Sequence, residues 1–129
     1  KYGKLYNWYA VKSGKLCPEG WHIPSMAEWD KMINYLGKDS LAAIAMKKID
    51  PLWIGNMHAN NESGFSALPG GRMQPGGFIY EGDEADFWAT DESSFMGSAK
   101  AITLKAGFDG IVRIDWGKNN GFSCRCVKN

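Results

Sequence analysis

The densest group of chemically capable side chains is acidic: Asp83, Glu84, Asp86, Asp91 and Glu92 crowd the approach to and exit from Phe87-Trp88. Oxygen donors at such density suit Ca²⁺, which takes about six to eight oxygen ligands. The spacing is not that of an EF-hand, because Ala85 interrupts it and no glycine holds the turn position, so the segment reads as a solvated acidic loop. Cys124 and Cys126 with His22 or His58 could supply zinc ligands, but the cysteines lack paired C-x-x-C spacing and the histidines stand far apart. Nucleophilic catalysis finds little support. His22 lies between Trp21 and Ile23, His58 lies in a polar loop, and no Gly-x-Ser-x-Gly element, P-loop or dinucleotide fingerprint is present. These observations predict no catalytic residue, no metal site and no cofactor.

Aromatic side chains offer a different chemistry. Six Trp, six Phe and five Tyr can supply faces that stack on the C–H surface of a sugar, while neighbouring amides, carboxylates and guanidinium groups fix its hydroxyls. Tyr80, Trp88 and Trp116, with Asn60, Arg72 and Asp86, are the candidate ligand-binding residues. Trp8, Trp21 and Trp29 sit in strand and helix-entry blocks and are assigned to the core.

These residues must be positioned by a single domain spanning residues 1–129, a length at which roughly two thirds of the unfolded surface can be buried. Lys plus Arg number 15 against 14 for Asp plus Glu, a formal net charge of +1. That balance gives no electrostatic reason to expect nucleic acid or an anionic membrane as partner. No apolar run approaches the ~20 residues that span a bilayer, so no membrane insertion is expected. The chain opens at Lys1 without Met or a signal sequence, which reads as an excised mature domain.

Residues 2–11 alternate aromatic, apolar and polar types as a first strand would. Ser25 with Glu28 forms a capping box directly before Trp29, Ile33 and Leu36, predicting a helix from about Met26 to Leu36 that Gly37 terminates. Asp39 or Ser40 can cap a second, shorter helix bearing Leu41, Ile44, Ala45 and Lys48, which Pro51 stops. From Leu52 to about Asp86 the chain is rich in Gly, Asn and Pro, a long loop region with only short regular structure. Three strands follow, Ala99–Ala106, Ile111–Trp116 and Phe122–Val127, with Asp109-Gly110 and Asn119-Asn120-Gly121 as reversals. Ile102, Leu104 and Ala106 share one face of their strand, as do Val112, Ile114 and Trp116 of theirs, while Thr103, Lys105, Arg113 and Asp115 face away. Helices beside an antiparallel sheet make an α+β domain.

Five ordered blocks carry a family resemblance: Tyr2-Gly3-Lys4-Leu5-Tyr6-Asn7-Trp8-Tyr9-Ala10, Cys17-Pro18-Glu19-Gly20-Trp21-His22-Ile23-Pro24-Ser25, Asn61 to Gly71, Phe87 to Ser93, and Gly121-Phe122-Ser123-Cys124-Arg125-Cys126-Val127. In that order they resemble the Fibrobacter succinogenes major paralogous domain. The resemblance implies a C-type-lectin-like fold, with two helices, small antiparallel sheets, a long Gly- and Asn-rich loop region and paired termini. It also implies a secreted or surface-anchored bacterial protein, hence an extracellular or cell-surface location. With it comes a Cys17–Cys126 disulfide joining the two ends, which leaves Cys124 as the odd thiol, packed as a small apolar residue. Calcium-dependent lectins of this fold carry acid-bearing loop motifs that Gln74-Pro75-Gly76 and Trp88-Ala89-Thr90 do not match. A distant similarity to formylglycine-generating enzymes makes Cys124-Arg125-Cys126 a possible imitation of their reactive cysteine pair. The expectation is a non-enzymatic recognition module that binds a glycan or a surface protein through the long loop region. The alternatives are a divergent enzyme of that type and a purely structural unit.

Overall fold

In the computed structural model, which describes residues 1–55 and 58–129, the elements run α1 (Trp8–Lys12), β1 (Trp21–His22), α2 (Met26–Tyr35), α3 (Lys38–Met46), β2 (Arg72–Gln74), β3 (Gly77–Ile79), β4 (Glu84–Glu92), β5 (Ser98–Lys105), β6 (Ile111–Gly117) and β7 (Val127–Lys128). Three small antiparallel sheets result, β1-β7, β2-β3 and β4-β5-β6. The α+β class and the paired termini are therefore present, with three helices where two were expected.

Pairing in the largest sheet sets Ala85 opposite Leu104 and Phe87 opposite Ile102, and Leu104 opposite Ile111. These residues form one face and pack with Trp29 and Ile33 of α2 and Ala42, Ala43 and Met46 of α3 into one apolar cluster. The alternate residues, Trp88 opposite Ala101 and Ala99 opposite Trp116, point the other way. There they meet Trp8, Val11, Ile23 and Phe122 in a second cluster. The sheet is covered on both sides, so Thr103, expected to face solvent, is buried.

Tryptophan indoles tie the parts together over long sequence distances. Trp8 donates Nε1–H to the Ala89 carbonyl at 2.9 Å, Trp29 to Trp88 at 3.3 Å, Trp53 to Ala67 at 3.1 Å and Trp88 to Tyr6 at 2.8 Å. Each such ring fills a large core volume while its polar edge donates to a backbone carbonyl, so the indole N–H is not left unpaired.

Helix α2 starts where the sequence places it. Ser25 Oγ accepts the Glu28 N–H at 3.2 Å, and the Asp91 carboxylate accepts the Met26 N–H at 2.6 Å. Glu28 does not close the box on the Ser25 backbone; its carboxylate reaches Ser25 Oγ and His22 Nε2. Gly37, at φ 100°, lets the chain leave α2 and enter α3 directly, so neither Asp39 nor Ser40 is the cap. Helix α3 buries Ala42, Ala43, Ala45 and Met46, while Leu41 is 58% exposed.

Three further readings are corrected. Residues 2–11 do not form a strand: Asn7 caps a one-turn helix by accepting the Ala10 N–H, and only Tyr6 makes a bridge, to Phe122. The last strand is confined to Val127–Lys128. Residues 121–123 instead touch three partners in turn, Met73, Tyr6 and Phe87, and thread the C-terminal segment between elements. The segment around Phe87-Trp88 is no loop but strand β4, irregular between Trp88 and Glu92.

Candidate functional site

Five of the six candidate ligand-binding residues converge, but in a cluster whose charged centre is buried. The Arg72 guanidinium lies 4.6 Å from the Tyr80 ring centre and 4.2 Å from that of Trp116. Its Nη1 donates to Glu84 Oε2 at 2.5 Å and approaches Asp86 Oδ2 at 3.4 Å. Glu84 also meets Lys105 Nζ at 3.0 Å, and Asp86 accepts the Thr103 hydroxyl. Burial pushes the Asp86 carboxyl up to about 6, against the opposing hydrogen bond from Thr103 and the charge of Arg72. Trp88 is 0% exposed and stacks on Phe122, which in turn meets Trp116 edge-on.

Trp88 and Asp86 are thus corrected from ligand contacts to core residues, because β4 is buried on both faces, and Arg72 of β2 likewise, because Glu84, Asp86, Tyr80 and Trp116 surround its guanidinium. Tyr80 remains 45% exposed, at a φ of 59°, with its ring committed to Arg72. Trp116 is half-buried. Asn60 is exposed elsewhere, on the loop that returns to α3, where its N–H meets the Ile44 carbonyl and its side chain accepts from Glu62.

The acidic group disperses in the same way. Asp91 caps α2, and Glu92 pairs with Lys12 and Lys118, which hold its carboxyl below the usual range. Among the described residues no group of three or more His, Cys, Asp or Glu could hold a metal ion.

A broad groove lies where the two ends of the chain meet. Trp21 pairs with Lys128 and His22 with Val127, and the Cys17–Cys126 disulfide crosses beside them with Cα atoms 5.8 Å apart. Tyr2, Lys4, Tyr6, Trp21, Ser66, Phe87, Ser123, Cys124 and Arg125 are among the residues around a groove of ≈ 700 Å³, within the range of about 300 to 1,000 Å³ usual for ligand sites. Trp21 is 45% exposed, a correction to its assignment to the core. The two-residue strand that carries it is paired on one side only, with β7.

Each wall is held in place. Asn61 Oδ1 accepts the Ser66 N–H at 2.9 Å and its Nδ2 donates to Ser66 Oγ at 2.9 Å, fixing a turn in which both residues take positive φ. Arg125 Nη2 donates to the Phe65 carbonyl at 2.7 Å with the guanidinium 4.4 Å from the Phe65 ring centre. Burial lowers the Arg125 pKa from its ordinary value. Behind the groove, His22 Nδ1 meets Asn129 Oδ1 at 2.6 Å and Nε2 meets Glu28 Oε2 at 2.7 Å. Both contacts, Asn129 first, raise the His22 pKa. Cys124 is the free thiol, half-buried against the second apolar cluster, and burial pushes its pKa up to about 12. Cys126 is committed to the disulfide, so no pair of free thiols exists.

The model of the Fibrobacter succinogenes major domain matches residues 1–128. The chain belongs to this family. No curated protein and no solved structure matches it. In this member of the Fibrobacter succinogenes major domain family, the groove is built by all five sequence blocks that carried the resemblance, which meet there from distant parts of the chain. The disulfide is consistent with an extracytoplasmic location, since such bonds persist in oxidising compartments. Among the described residues no helix is long and apolar enough to cross a membrane. Sequence reasoning missed Trp21, Tyr2, Tyr6 and Arg125 as residues that line a groove. The available signal was Lys1-Tyr2-Gly3-Lys4-Leu5-Tyr6, where cations alternate with aromatics in a segment too polar to be core.

Proposed function

We propose that the domain is a non-enzymatic recognition module of a secreted or surface-exposed bacterial protein and that it binds a glycan in the groove beside the paired termini. The observation that carries this reading is the half-exposed Trp21 indole bordering a groove that Tyr2, Tyr6, Ser66 and Ser123 also line. Aromatic faces beside hydroxyls suit a pyranose, whose C–H faces stack while its hydroxyls exchange hydrogen bonds. An open site of this kind binds a single ligand weakly and gains from multivalent display. Relative to the expectation from sequence, the site moves from the Arg72–Trp88 segment to the chain ends and keeps only Ser66, Ala67 and Leu68 of the long loop region as lining.

A glycan array probed with the wild type and Trp21→Ala tests this. The variant should keep its melting temperature within a few degrees, because the indole is half in solvent, and lose binding by about tenfold or more. An array signal that Trp21→Ala leaves intact would sink the assignment of the groove.

A further inference from the structure

We infer that the groove selects acidic saccharides, so that the ligand is an oligosaccharide bearing carboxylates along its chain; this rests on the glycan reading above. Lys1, Lys4 and Arg125 line the groove, and no Asp or Glu does among the described residues. That one-signed lining contrasts with a chain whose formal net charge is only +1. Lys12, Lys48, Arg72, Lys105, Arg113 and Lys118 meet carboxylates; Lys1, Lys4 and Arg125 make no salt bridge among the described residues, so no carboxylate neutralises the groove charge there.

Arg125 is the specific element. Its bond to the Phe65 carbonyl and its stacking on the Phe65 ring fix the guanidinium before any ligand arrives. A planar donor fork already held in place loses less conformational freedom on meeting a carboxylate than a free arginine would. Lys4 adds an exposed charge on the N-terminal side, and Trp21 and Tyr6 supply apolar faces in the same groove. A hexuronate unit presents both features at once, a carboxylate at the ring edge and a C–H face for stacking. An acidic peptide offers the charge without the ring face, which decides between the two.

The test uses a trimer of galacturonic acid and the same trimer with its carboxyls methyl-esterified, titrated into the wild type, Trp21→Ala, Arg125→Gln and Lys4→Gln. The acid form should bind about tenfold or more tightly than the ester. That preference should shrink as salt rises from about 0.05 M to about 0.5 M. Arg125→Gln should lose most of the preference and retain the binding of the ester; Lys4→Gln, at an exposed position, serves if Arg125→Gln unfolds. Equal affinity for acid and ester, with both lost in Trp21→Ala, overturns the acidic selection and leaves the glycan reading standing. Neither trimer binding, with only uncharged array glycans retained at Trp21, has the same meaning. Equal binding of a poly-glutamate peptide with the same dependence on Arg125 overturns the saccharide assignment. Absence of any glycan response that depends on Trp21 overturns both.

Discussion

The Trp88 ring stacks on Phe122 with centroids 4.2 Å apart and planes 18° from parallel, joining the middle of β4 to the C-terminal segment. The indole also donates to the Tyr6 carbonyl, so one side chain links three distant parts of the chain. Trp88→Ala should therefore destabilise the domain by about 3 to 5 kcal/mol, read from urea denaturation. A variant of unchanged stability that had lost ligand binding would restore Trp88 as a contact residue.

Joining Cys17 to Cys126 closes a loop with a sequence separation of 109 residues. In the chain-entropy model a loop of that length contributes roughly 4 to 5 kcal/mol. Cys17→Ser with Cys126→Ser should lower the melting temperature strongly, and reduction of the wild type should reproduce the shift. Peptide mapping of the unreduced protein checks the pairing, with Cys124 alkylated only after unfolding.

Two side chains serve separate N–H groups at the start of α2. Ser25→Ala and Asp91→Ala should each cost about 0.5 to 2 kcal/mol, and the double variant should be less stable than either. If Asp91→Ala were neutral by thermal melting, the Met26 N–H would be satisfied by solvent instead.

The Asp86 carboxyl, ordinarily at 3.8, stands at about 6 in the folded protein. A folded value above the unfolded one means that this group favours folding most when protonated. Its contribution is present in full below about pH 4 and is lost as pH rises through about 6, a change of about 3 kcal/mol. Asp86→Asn removes the titration, so the variant should gain on the wild type across that window. Denaturation curves at a series of pH values give the difference, and a difference constant from pH 4 to 7 would place Asp86 at an ordinary pKa.

Much of the frame was legible because it rests on local signals. Ser25, the periodic Trp29 and Ile33, and the reversal at Asp109-Gly110 are decided within a few residues. The failures share a cause in tertiary context. Asn7 caps a helix too short for periodicity to register. Strand β4 was hidden because burial on both faces removes alternation, and because Glu84 and Asp86 resemble solvent-facing acids until Arg72, Lys105 and Thr103 are seen beside them. The same context separates Trp88 from Trp21: identical rings, one fully buried against Phe122 and the other half-exposed on a strand paired along one edge.

The bond between Cys17 and Cys126 also decides how the domain carries tension. A pull that enters through the residues before Cys17 and leaves through those after Cys126 passes from one sulfur to the other and bypasses everything between. Helices α2 and α3 and all three strands of the central sheet lie inside that shunt. Under load only the short flanks could extend, Tyr6 leaving Phe122 and β7 peeling from β1. Those flanks supply Tyr2, Lys4, Tyr6 and a strand partner of Trp21, so stretching would dismantle the groove while the body stayed folded.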